Sequence, residues 1–164
     1  MSKPGRFPAP SSNKAESEEG TAFAPRFDAE GYLPVVVTSA KSGEVLMFAY
    51  MNEEALARTI DTGEAHYWSR SRGRLWRKGE ESGNTQRVVE MRTDCDQDAI
   101  WLRVATEGSG AACHTGRRTC FYRAVPLGAA GAVSLSFVDA EQQFHPETVY
   151  RHASAANRTL KSSE

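Results

Sequence analysis

Short apolar runs in the two-residue period of a strand, each closed by a turn, fill the middle of this chain and leave room for one evident helix. "LPVVVT" (Leu33 to Thr38) and "EVLMFAYM" (Glu44 to Met51) are rich in β-branched and aromatic residues and flank "SAKSG". That pattern predicts a hairpin. "MNEEALARTIDTG" follows with helical signals: Asn52 can cap the N-terminus, Glu53 and Glu54 suit its positive end, and Gly63 suits the position after the last turn. "AHYWSRSRGRLWRKG" alternates again around a turn at "SRGR", predicting a second hairpin. "TQRVVEMRTDCDQDAIWLRVAT" supplies two further strands, and "TCFYRAV" a last short one. Many strands and one helix predict a mainly β (α+β) domain, an antiparallel sheet or small barrel capped by the helix. Small β architectures of this kind often complete themselves by dimerising.

Both ends read differently. Residues 1 to 25 are rich in Ser, Pro, Glu and Gly, and are expected to form a disordered tail. The folded domain is expected over residues 26–150, with a polar tail over 151–164. At 164 residues the chain suits one domain with a real core. Its net charge of −1 argues against general nucleic-acid binding, which needs a basic face. The longest apolar run, Ala124 to Val138, is broken by Pro126, Gly128 and Gly131, well short of the roughly 20 residues of a membrane span. The N-terminus lacks an apolar signal segment, so a cytoplasmic location is expected.

"TDCDQDAIWL" places Asp94, Asp96 and Asp98 at alternate positions around Cys95 and Gln97. If extended, the three carboxylates share one face, about 6.6 Å apart, and repel unless a cation sits among them. Oxygen ligands of this kind suit a hard ion such as magnesium. A calcium EF-hand loop is excluded, because its glycine and glutamate positions hold Ala99 and Ala105. Downstream, "ACHTGRRTCF" holds Cys113 and Cys120 with His114 beside the first. Three cysteines, an odd number, argue against a disulfide framework and leave two readings: buried structural thiols or metal ligands. Zinc is the default metal for a thiolate set, and a fourth position held by water marks a catalytic site. Thiolates neutralise zinc more than imidazoles do, which calls for a nearby base or cation; His114 is the first candidate, then Arg117 and Arg118.

Two basic clusters flank these motifs. The first gathers Arg70, Arg72, Arg74, Arg77 and Lys78 around Trp68 and Trp76, and the second holds Arg117, Arg118 and Arg123. Guanidiniums bind phosphate in pairs of hydrogen bonds, and indole faces stack on bases. The loop "KGEESGN", with Ser82 and Asn84, can cradle an anion. Together these features suggest a small phosphorylated nucleotide as substrate. Three functions compete on the residues: a zinc hydrolase or deaminase of a purine nucleotide, a zinc-stabilised binding module, and a magnesium-dependent pyrophosphohydrolase.

"HYWSRSRGRLWRKGEESGNTQRV", "DCDQDA" and "ACHTGRRTCFYR", in this order and spacing, closely resemble the phosphoribosyl-AMP cyclohydrolases of histidine biosynthesis. The resemblance runs from Phe27 to Arg123, and departs at Glu81, where many members carry Thr. It implies hydrolysis of the N1–C6 bond of 1-(5-phosphoribosyl)-AMP by a homodimer whose fold is a β pseudobarrel capped by a helix. It further implies zinc on Cys95, Cys113 and Cys120, Cys95 coming from the partner chain, and magnesium on Asp94, Asp96 and Asp98. Zinc-bound hydroxide would attack C6, with His114 carrying the proton. Arg70, Arg72, Trp76, Lys78, Ser82, Asn84, Arg117 and Arg118 would hold the substrate. Too few residues follow Arg123 for the pyrophosphohydrolase domain that some members carry, so a monofunctional enzyme is expected.

Overall fold

The structure is a computed structural model that describes residues 5–128 and 130–150; the expected polar tail over 151–164 lies outside the described residues. Strands β1 (Leu33–Ser39) and β2 (Val45–Met51) form the first hairpin, in antiparallel register from Leu33 opposite Met51. Leu33, Val35 and Val37 point inward with no exposure, while Val36 faces out. The alternation therefore reports the buried face directly. The turn is held by the Ser39 hydroxyl, which accepts from the N–H groups of Lys41 and Ser42, each at 3.2 Å.

The helix falls where its caps predict. A short α1 (Lys14–Glu19) precedes it, and α2 spans Glu53–Thr62. The Asn52 side chain accepts from Ala55 N at 2.9 Å, and Gly63 adopts φ 69° at the C-terminal end. Ala55, Leu56 and Thr59 are its buried face. The Thr59 hydroxyl donates to Ala55 O (2.8 Å) and accepts from His66 N (3.0 Å), tying α2 to the next strand.

β3 (His66–Ser69) and β4 (Arg74–Arg77) form the second hairpin, packed on β2 and α2. β5 (Gln86–Thr93) and β6 (Ile100–Thr106) form a third. The larger sheet has the order β2-β1-β6-β5, with β1 and β6 parallel. An antiparallel sheet was expected, so this is a correction: the sheet is mixed. Local alternation says which face a strand buries, but it is silent about the direction of its neighbour. The register Val35 opposite Ile100 and Val37 opposite Leu102 merges two inward apolar rows into one core. Nor does the sheet close into a barrel, since β3 and β4 form their own two-stranded ribbon. The end of α2 nonetheless reaches β5 through Val88 N to Gly63 O (2.7 Å) and Ala65 N to Gln86 O (2.9 Å). Inside, Tyr67 is fully buried and donates its hydroxyl to Gln86 Oε1 at 2.7 Å. β7 (Arg123–Ala124) pairs with β8 (Ser136–Phe137) in a small outlying ribbon.

The N-terminal segment, expected to be a tail, makes contacts with the domain. Phe7 and Phe23 meet edge to face at 5.5 Å and pack on the core, and Arg6 pairs with Asp61 at 2.7 Å. Its anchors are few and have no period, so a polar composition conceals them. Among the described residues no helix is long and apolar enough to cross a membrane.

Candidate active site

The cysteine-bearing loop is fastened to β2. Cys120 N donates to Leu46 O (2.7 Å), and the Thr119 hydroxyl to Val45 O (2.8 Å). Within it Cys113 N donates to Arg117 O (3.0 Å) and Gly116 N to Cys113 O (3.0 Å), a reversal that Gly116 permits at φ 83°. This brings Cys113, which is buried, into hydrogen-bond contact with Cys120. The Cys113 thiol is pushed down to about 5, first by the hydrogen bond from Cys120, then by Thr115, whose hydroxyl lies 3.1 Å from Sγ. The His114 charge favours the same thiolate, and burial opposes it. Cys120 is pushed up, first by its hydrogen bond to Cys113, then by burial and the Cys113 charge, with Lys78 opposing. Lys78 stands beside the pair, buried, its Nζ donating to Ala112 O at 2.6 Å. Burial lowers its pKa, while Cys120 and Cys113 act to raise it. A cysteine held toward its thiolate beside a second thiol is a donor set that suits a soft cation.

A cleft of about 650 Å³ opens beside this pair. His114 and Cys120 line its thiol end, Trp68 and Trp76 come from the second hairpin, and Arg70 and Arg72 from that hairpin's turn. Arg70 lies over the Tyr50 ring at 3.7 Å, and Arg72 over Trp76 at 5.7 Å. Neither makes an ion pair among the described residues, unlike Arg74, held by Glu80, and Arg77, held by Glu64. Two guanidiniums without an ion pair among the described residues, aromatic faces, Lys78 and Ser82 therefore share one cavity. It suits a flat ring carrying phosphate.

Three expected substrate residues stand elsewhere. Asn84 is buried and accepts from Ser109 N (2.8 Å) and the Ser109 hydroxyl (2.9 Å). Arg118 pairs with Glu44 and Asp139 and faces a different hollow. Arg117 lies over Tyr122 at 4.2 Å. Conversely, Phe48, Tyr50 and Tyr150 line the cleft. The first two sit in β2, whose sequence signals only a hairpin strand. Tyr150 offered only the signal of a lone aromatic near a polar end.

The acidic stretch is the turn between β5 and β6, not an extended strand. The alternation argument fails there because Gln97 takes φ 61° and reverses the chain. Asp94 Oδ1 accepts from Asp98 N and Ala99 N, both at 3.0 Å, which pins the turn. The carboxylates converge all the same: one oxygen from each of Asp94, Asp96 and Asp98 lies within 4.8 Å of the others. Asp98 is pushed up by desolvation, then by the hydrogen bond and charge of Asp94 and the charge of Asp96. Proximity of like charges is the arrangement a divalent cation relieves. Cys95 is exposed on this turn and does not join the other two thiols in a ligating group within the described residues.

Comparison with known proteins agrees with this geometry. The phosphoribosyl-AMP cyclohydrolase family profile matches residues 47–122. The phosphoribosyl-AMP cyclohydrolase of Nitrobacter winogradskyi is 62% identical over 86% of this chain and 96% of its own length. Those of Sinorhizobium fredii and Brucella suis are 59% and 60% identical, covering 88% and 84% of this chain and 94% and 98% of their own lengths. The matched blocks contain the thiol loop, the acidic turn and the arginine hairpin, and on this evidence the chain belongs to the phosphoribosyl-AMP cyclohydrolases, a family of hydrolytic enzymes.

Proposed function

We propose that this chain opens the adenine ring of 1-(5-phosphoribosyl)-AMP by hydrolysing its N1–C6 bond, with zinc and magnesium as cofactors. The observation that carries the reading is the cleft itself, where Cys120, beside the thiolate-forming Cys113, shares one cavity with His114, Arg70 and Arg72. The donor chemistry fits both metals. Cys113 and Cys120 are soft ligands already in contact, and the Asp94, Asp96 and Asp98 oxygens form a hard set. Cys95 has a free, exposed thiol to offer, and we assign it to the zinc of a second copy in a homodimer. Zinc held by these thiolates supplies Lewis acidity, which lowers the pKa of a coordinated water.

The chain's own residues do the rest. Arg70 and Arg72 bind phosphate, and Trp76 and Tyr50 flank the base. Lys78 offsets the negative charge of the thiolates. Ring opening adds water at C6 and breaks the C6–N1 bond; the oxygen stays on C6 as a carboxamide carbonyl, one water proton ends on N1 and the other on the exocyclic nitrogen. His114, exposed at the thiol end of the cleft, takes the proton from the attacking water and returns it to N1.

The test is the absorbance change on ring opening, followed with zinc- and magnesium-loaded protein. Turnover is expected, with its loss after chelation and in Cys113→Ser, and a fall of roughly 100-fold or more in kcat for His114→Ala. A folded, metal-loaded dimer with no turnover refutes the assignment. Full turnover of Cys113→Ser removes the zinc reading alone.

A further inference from the structure

The family profile ends at residue 122, yet the chain returns to the cleft after it. Residues 142–150 lie back along the cysteine loop. Gln143 N donates to Gly116 O and Gln142 Nε2 to Thr115 O, both at 2.7 Å. Arg117 and Gln142 form a bridge. The fit is close, because a Cβ on Gly116 would stand 2.0 Å from Phe144 O. Residues 146–150 are helical and deliver Tyr150 into the cleft, where its ring meets Phe144 at 6.2 Å.

We propose that Tyr150 is a further substrate-binding residue, whose hydroxyl donates a hydrogen bond to the purine end of the bound nucleotide. Its surroundings argue for that end over the phosphates. Glu81 and Ser82 line the cleft with it, while the guanidiniums of Arg70 and Arg72 stand on the hairpin turn. A carboxylate at this end disfavours phosphate. A base, with its nitrogen acceptors, fits it. Arg70 and Arg72, without ion pairs of their own, receive the phosphates on the hairpin turn. Tyr150 thus completes an aromatic enclosure with Trp68, Trp76 and Tyr50. The residue is delivered by a segment that packs on the thiol loop, so the loop that bears Cys113 also positions the far wall.

The inference rests on the cleft being the nucleotide site. Its test therefore pairs the ring-opening assay with a direct binding readout, quenching of tryptophan fluorescence by AMP, since Trp68 and Trp76 line the cavity. Loss of one hydrogen bond corresponds to about a fivefold to tenfold change. Tyr150→Phe is expected to weaken AMP binding and raise KM by that factor. Zinc content and kcat should stay within twofold of the unsubstituted protein. Gln142→Ala, which removes the segment's side-chain bond to Thr115 O and no thiol, should weaken AMP binding in the same direction. Binding and KM unchanged in Tyr150→Phe overturn the inference. If the unsubstituted protein binds AMP but never opens phosphoribosyl-AMP, the functional assignment falls. The quenching result for Tyr150→Phe still decides the contact.

Discussion

Gln97 holds the acidic turn and the N-terminal segment together, and its replacement separates two energies that usually come mixed. Its side chain is buried; Oε1 accepts from Ala24 N at 2.8 Å, and Nε2 reaches Ser17 O at 3.2 Å and Ala22 O at 3.3 Å. Its carbonyl accepts from Arg26 N at 2.8 Å. It is also the one residue other than glycine with positive φ among those described. Gln97→Ala removes the three side-chain bonds and keeps the backbone strain. At about 1 kcal/mol net per bond, less for the two long ones, the loss is about 2–3 kcal/mol. Gln97→Gly removes the same bonds but releases about 1 kcal/mol of left-handed strain, partly offset by the freedom glycine gains when unfolded. The expected order of stability is therefore Gln, then Gly, then Ala. Urea denaturation at one fixed protein concentration measures it, since an oligomer's apparent stability depends on concentration. A glutamate-specific protease gives a local readout, with faster cutting at Glu16, Glu18 or Glu19 in both variants. An alanine variant within 0.5 kcal/mol of the unsubstituted protein would refute the clamp. A glycine variant less stable than the alanine one would refute the strain.

Three other outcomes are expected. Asp96→Asn should weaken magnesium binding at least tenfold by calorimetry, because it removes one of three converging carboxylates; unchanged affinity would place the ion elsewhere. Thr59→Val should cost about 1–3 kcal/mol, by leaving His66 N without its buried acceptor, and a neutral result in thermal melts would mean that water replaces it. Glu90 is held below the usual carboxylate range by hydrogen bonds from Arg103 and then Arg92. Its stabilising effect is present above the unfolded pKa and lost as pH falls through the folded one. Glu90→Gln should accordingly melt lower at neutral pH and converge with the unsubstituted protein in acid; a gap that persists at low pH contradicts this sign.

How much could be read in advance varied with the range of the interaction. The cap residues Asn52 and Gly63 bracketed α2 because capping is decided by a few neighbouring side chains. The hairpins were legible for the same reason, since alternation and turn chemistry act within about ten residues. The acidic turn is more instructive. Grouping of the three carboxylates held, while the extended backbone invoked for it did not. Proximity in sequence was enough to group them, whatever the backbone did. The partners of Arg118 and Asn84, Glu44 and Ser109, lie far away in sequence and could not be read from it.

From the chain alone came the mainly β character, the capped helix between two hairpins, the chemical identity of both donor sets and the family resemblance, all carried by residue type and short spacing. Tertiary structure decided that β6 runs parallel to β1, that Phe7 and Phe23 bind the N-terminal segment to the core, that Cys113 is buried beside Cys120, and that Tyr150 enters the cleft. Each of these joins residues through space. Such contacts are selected by the total apolar surface buried and the polar groups satisfied when the whole chain closes, quantities that no short stretch of sequence contains.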